Sequence, residues 1–185
     1  MPSLGLLMLL NSGTYLEFLS YRQQRSIFII FFTGTALLPL SLIPMMMLRR
    51  MITDIRMDRR RERIMPFMIT ALFYGFTWYL LARLNVPGLI TSYAMAAALS
   101  VLLVALLSLK WMISLHMTAM GALAGMLLAT AFRFNVNLQL FLALVILGGG
   151  LAGWARLSLK AHNAAEIYSG YILGFAVVFF IMYTA

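Results

Sequence analysis

The chain of 185 residues has no cysteine, only two histidines, and five acidic residues against fourteen basic ones. Without cysteine there is no disulfide framework and no thiolate metal site. The few carboxylates and histidines form no Asp or His cluster in the sequence that would hold a metal ion. Charge of either sign is scarce: 10% of residues are charged, 63% are hydrophobic, and mean hydropathy is +0.95. That balance lies far outside ordinary soluble domains and marks a membrane protein. Aromatic-interleaved basic strands and zinc spacings are also lacking, so the formal charge of +9 is ascribed to membrane topology, anionic headgroups and phosphate rather than to nucleic acid. Met1-Pro2-Ser3-Leu4 lacks the basic start of a cleaved signal peptide, so the first apolar stretch is expected to belong to the mature chain.

What is present is a series of apolar runs between charged punctuation, read as an all-α polytopic bundle of six or seven transmembrane helices in one domain, 1–185. The first run, about 3–20, is short, is interrupted by Asn11, Gly13 and Glu17, and is expected to be re-entrant or only partly spanning. The second, about 26–48, carries Pro39 and Pro44, where kinks are expected. After the charged loop from Arg49 to Arg63, a third helix is expected over about 66–84, with Pro66 in its first turn, before the turn Asn85-Val86-Pro87-Gly88. The remaining four cover about 89–109, 114–131, 137–157 and 165–183. Lys110-Trp111 marks a membrane interface, and the spacing of Gly121 and Gly125 predicts a central, closely packed fifth helix. The fifteen methionines read as flexible apolar packing.

If the third to seventh helices all span, three polar segments meet at one membrane face: Arg49 to Arg63, Lys110 to His116, and Arg156 to Glu166. That face holds Arg49, Arg50, Arg56, Arg59, Arg60, Arg61, Arg63, Lys110, Arg156 and Lys160 of the fourteen basic residues. The positive-inside rule would make it cytoplasmic. The residue types suit phosphate chemistry. Arginine offers a planar donor fork to phosphate oxygens, histidine is the side chain most easily held near neutral pKa, and a carboxylate can hold an imidazole in one tautomer. Glu166, four residues after His162, would reach it along one helical face. Each has a plainer reading beside it. His116 is equally read as a capped interfacial polar group, and the run Asp58-Arg59-Arg60-Arg61-Glu62-Arg63 as a solvated loop serving topology.

In order and spacing, the three segments resemble the motifs of the type 2 phosphatidic acid phosphatase superfamily, membrane lipid phosphatases that share a helical core with vanadium haloperoxidases. Arg156, five residues, His162, three residues and Glu166 match the third motif, with Ala155 for its Ser and Glu166 for its Asp. Ser114 and His116 match two positions of the second, Pro-Ser-Gly-His. Arg56, six residues and Arg63 match the cations of the first, with Ile64 at its Pro. The resemblance covers about 56–174 and implies a metal-free, cofactor-free lipid phosphatase. It implies that His162 attacks phosphorus, Glu166 orients it, and His116 protonates the leaving oxygen and then activates water. Arg56, Arg63, Arg156 and Ser114 would hold the phosphate. The implied substrates are lipid phosphomonoesters or pyrophosphates: phosphatidic acid, phosphatidylglycerophosphate, prenyl or undecaprenyl pyrophosphate, or a lipid A phosphate. The expected location is a bacterial cytoplasmic membrane; such relatives commonly face outward, opposite to the positive-inside rule. Two other classes stand beside this one: a non-catalytic lipid-phosphate binder that kept the pocket, and a small transporter hinted at by the broken second helix.

Overall fold

The computed structural model describes residues 1–50 and 60–185, and among these every regular element is helical. Helix α1 (Pro2–Leu10) leads through a 3₁₀ turn (Tyr15–Phe18) into α2 (Tyr21–Phe32), a π-helical turn (Thr33–Leu37) and α3 (Leu38–Leu48), which run on from one another. Then come α4 (Arg60–Arg83), α5 (Gly88–Leu107), α6 (Leu115–Phe134), α7 (Gln139–Ser158) and α8 (Ala164–Thr184). Among the described residues six helices are long and apolar enough to cross a membrane, the continuous Tyr21–Leu48 and α4 to α8, and they point to an integral membrane protein.

The first segment is short, as expected: α1 has nine residues, which reach about 14 Å, half of a hydrocarbon layer about 30 Å thick. Two other expectations change in detail. The second helix begins five residues early because Ser20 and Gln23 form a capping box, each side chain accepting the other's backbone N–H. Farther along, Pro39 has no N–H to offer the carbonyl of Thr35, and the π-helical turn lies just before it. The third helix starts at Arg60 rather than at Pro66, since arginine and glutamate are good helix formers and carry the helix back into the charged segment. Pro66 therefore sits inside α4, and Arg63 is a helical residue rather than a loop residue.

The bundle is organised around α6. Its glycines let α8 approach to backbone contact: a Cβ on Gly121 would overlap the carbonyl oxygen of Tyr171, and one on Gly174 would overlap that of Thr118. Gly170 lies against Ser114 in the same way. The pairing rises together along both helices, so α6 and α8 run parallel and start at the same face. At the opposite face the Tyr15 ring lies 5.6 Å from that of Phe134, the Leu89 N–H donates to the Tyr15 hydroxyl, and Arg133 Nη1 donates to the Met182 carbonyl at 2.9 Å. Lipid-facing side chains such as Leu147, Leu151 and Trp154 leave α7 largely outside the core.

Replacing Gly174 with leucine is expected to lower stability by about 1–3 kcal/mol through overpacking against α6. Gly150→Leu, whose Cβ would meet nothing within 4 Å, is expected to leave it nearly unchanged. Thermal unfolding of the two variants in the same detergent checks the difference, and equal midpoints would contradict the close approach.

Candidate functional site

The site is built from how α7 stops and α8 starts. At the end of α7 the Ala161 N–H donates to the Arg156 carbonyl and the Lys160 N–H to that of Leu157, with Lys160 in the left-handed region at φ 51°. This is a Schellman motif, which satisfies the last carbonyls and reverses the chain. Two residues later Asn163 caps α8: its Oδ1 accepts the Glu166 N–H at 2.9 Å, and Glu166 Oε2 accepts the Asn163 N–H at 3.2 Å. The turn thus places Arg156, in the last turn of α7, close to His162, which stands just ahead of the cap.

Glu166 has a second partner. Its Oε2 accepts from His162 Nδ1 at 2.9 Å, with the two side chains 6% and 12% exposed. The expected pairing is present, but its geometric basis differs. His162 lies outside the helix, so the two do not share a helical face; the carboxylate reaches backward as the third residue of a capping box. A carboxylate only accepts, so Nδ1 carries a proton, and in the neutral ring the lone pair is then on Nε2.

His116 stands in the first turn of α6. Arg156 Nη2 lies 2.8 Å from its Nε2 and 3.0 Å from its Nδ1. With both ring nitrogens at nearly the same distance, the guanidinium sits over the face of the imidazole, and its positive charge there disfavours a second charge on the ring. The start of α6 is tied to that of α8 by the Ser114 N–H, which donates to the Glu166 carbonyl at 3.2 Å.

His116, Arg156, His162 and Arg63 line one cleft of about 460 Å³, whose remaining walls are mostly apolar side chains of α3 and α4 such as Ile43, Met46 and Phe67. The sequence-predicted pair of histidines and two of the three predicted arginines therefore come together. Ser114 does not join them. It is fully buried, its N–H is used by Glu166, and its hydroxyl has no hydrogen-bond partner. It is not among the residues that line the cleft, and its phosphate-donor role stays an expectation from the sequence. Arg56 lies outside the described residues. Among the described residues no three histidine or carboxylate side chains gather as a metal site.

Three contributors went unrecognised in the sequence. Asn163 fixes Glu166, and its signal is the Asn-x-x-Glu start of an apolar run. Gly170 and Gly174 repeat the four-residue spacing of α6. Tyr74 lines the cleft from α4 and had no signal of its own.

Chemically, the cleft offers an imidazole oriented through Nδ1, a second imidazole, and two cations suited to oxyanions. Glu166→Ala is expected to cost about 0.5–2 kcal/mol through the lost cap. The same change is expected to release His162 from the Nδ1–H tautomer, read from the ring ¹⁵N chemical shifts; an unchanged tautomer would refute the orienting role. No family model matches the chain, and neither a curated protein nor a solved structure does.

Proposed function

We propose that the chain is a membrane lipid phosphatase, a divergent member of the type 2 phosphatidic acid phosphatase superfamily with that family's helical core over about 56–174, acting in a bacterial cytoplasmic membrane. The observation that carries the reading is the pairing of His162 with Glu166 in one cleft with His116, Arg156 and Arg63. The phosphoryl group of a lipid phosphomonoester or pyrophosphate enters between Arg63 and Arg156, where cations stabilise the equatorial oxygens of the transition state. As the phosphate oxygens take over the donors of Arg156, His116 loses its guanidinium partner and takes up a proton from the aqueous phase.

His162 Nε2 then attacks phosphorus. The P–N bond forms, the P–O bond to the lipid breaks, and His116 gives its proton to the departing oxygen. Glu166 stabilises the charge that develops on the His162 ring through Nδ1–H. In the second half, water attacks phosphorus while His116 takes its proton, the P–N bond breaks, and inorganic phosphate leaves with both histidines restored. No step calls for a metal or cofactor.

A second reading, a non-catalytic lipid-phosphate binder, is favoured by one observation: Arg156 is engaged with His116 in the unliganded site. Phosphate release from a panel of phosphatidic acid, phosphatidylglycerophosphate, prenyl pyrophosphate and a lipid A phosphate separates the two. Turnover is expected to persist in EDTA and to be inhibited by vanadate, which imitates five-coordinate phosphorus. His162→Ala is expected to abolish turnover, and His116→Ala to reduce it by about 10²- to 10⁴-fold. Turnover that survives in the His162 variant sinks the mechanism; tight binding with no turnover across the panel assigns the binder.

A further inference from the structure

His116 stands between two spaces, the cleft of about 460 Å³ and a second cavity of about 180 Å³ that follows α6 past Ala119 to Ala122. Five residues line both: Met1, Thr70, Tyr74, Leu115 and His116. Of these, Tyr74 has no part in the chemistry described above. It stands on α4 eleven residues beyond Arg63, about 16 Å along the helix axis. Only 7% of its surface is exposed.

The other hydroxyls around the two spaces are already committed. Thr35 donates to the Phe31 carbonyl, Thr70 to that of Pro66, Ser100 to that of Ala96, Thr118 to that of Ser114, and Tyr93 to that of Pro2. The Tyr74 hydroxyl has no hydrogen-bond partner among the described residues. Unlike the hydroxyls of Ser114 and Ser169, it is not sealed among packed atoms either, so it opens into the space that the residue lines. A phenol kept from water in a membrane bundle normally finds a partner, and one that has none calls for an explanation.

Met1 brings the start of α1 to the same place, held there by the Tyr93 bond to Pro2 and by the contact of Ser3 Oγ with Thr35 Oγ1 at 3.3 Å. The first N–H groups of a helix have no partner within it, and that end carries partial positive charge. A phenol with its proton to give and a helix start both favour an acceptor oxygen. Phosphate held by Arg63 and Arg156 lies nearer the membrane surface than Tyr74, so the oxygen that reaches the phenol belongs to the part of the ligand that enters more deeply.

Resting on the phosphatase reading above, we infer that Tyr74 is a substrate-binding residue, whose hydroxyl donates a hydrogen bond to an oxygen on the lipid side of the scissile P–O bond and so fixes the depth of the leaving group beside His116. An ester carbonyl, a second phosphoryl group and a sugar oxygen all offer that chemistry. A saturated alkyl phosphate offers none of it and leaves the phenol unpaired.

The test compares full-length protein with its Tyr74→Phe variant in detergent on dioctanoyl phosphatidic acid, farnesyl pyrophosphate and octyl phosphate. Loss of the hydroxyl is expected to lower kcat/KM for one or both of the first two, relative to octyl phosphate, by about three- to tenfold, as one neutral hydrogen bond carries. The loss is expected in KM rather than in kcat, because the bond is made in the ground state and the transition state alike. Which of the two ratios falls identifies the oxygen. Tyr93→Phe removes a hydroxyl that holds α1 instead, and is expected to lower the thermal midpoint and to affect the three substrates equally. Binding of the non-hydrolysable phosphonates of dioctanoylglycerol and octanol is expected to show the same selective loss in Tyr74→Phe, with or without turnover. Equal loss on all substrates and both phosphonates, or no loss on any, overturns the assignment of Tyr74. Absence of turnover on every substrate together with selective loss of phosphonate binding overturns the phosphatase reading and leaves that assignment standing.

Discussion

Lipid tails are as apolar as leucine, so helices in a bilayer gain little from burying hydrocarbon against each other and are held by how closely their backbones approach. In this bundle that approach is made between α6 and α8, where Gly121 and Gly125 lie against the backbone at Tyr171 and Phe175, and Gly170 and Gly174 against that at Ser114 and Thr118. Because the two helices run parallel, the contact brings both of their first turns to the same level of the membrane. His116 rides on one, and the cap that holds Glu166 against His162 on the other. The Ser114–Glu166 backbone bond closes the pair at its end. Every distance in the cleft follows from a seam that holds no reactive group.

The Arg-x5-His-x3-Glu spacing was legible in the sequence, and the structure gives it a plain meaning. Arginine sits where α7 ends, a Schellman turn takes up the next few residues, and Glu166 belongs to the capping box that begins α8. A helix stop followed by a helix start produces that spacing by itself. The same residues therefore serve folding and, in the proposed mechanism, catalysis. The order of the apolar runs and the close packing at Gly121 and Gly125 were likewise readable, because composition and small-residue spacing are local signals.

Other features depended on packing that no single segment reveals. A serine beside a histidine looks like a phosphate donor in one dimension, yet Ser114 is fully buried, with its backbone carbonyl packed against Gly170 of α8. Asn11, Gly13 and Glu17 marked residues 3–20 as an incomplete span, but nothing in the segment showed that Leu6 and Leu9 would be fully buried within the bundle. Pro66 reads as a helix start in isolation, but the arginines ahead of it extend the helix through it. The second space beside His116 is lined by α1, α4, α5 and α6 and has no counterpart in any sequence window.

The contact between Arg156 and His116 has a bearing on what the empty site ignores. A guanidinium left bare near a low-dielectric bundle would attract whatever anion the medium supplies. Here the imidazole ring covers that guanidinium as an internal stand-in, with Nη2 2.8 Å from Nε2. A visiting anion gains only the difference between its own attraction for Arg156 and that of the ring. For chloride or another singly charged ion that difference is small; for a doubly charged phosphate monoester offering two oxygens to the fork it is large. In the proposed mechanism the site is thereby sorted by ligand charge before any bond to phosphorus is made.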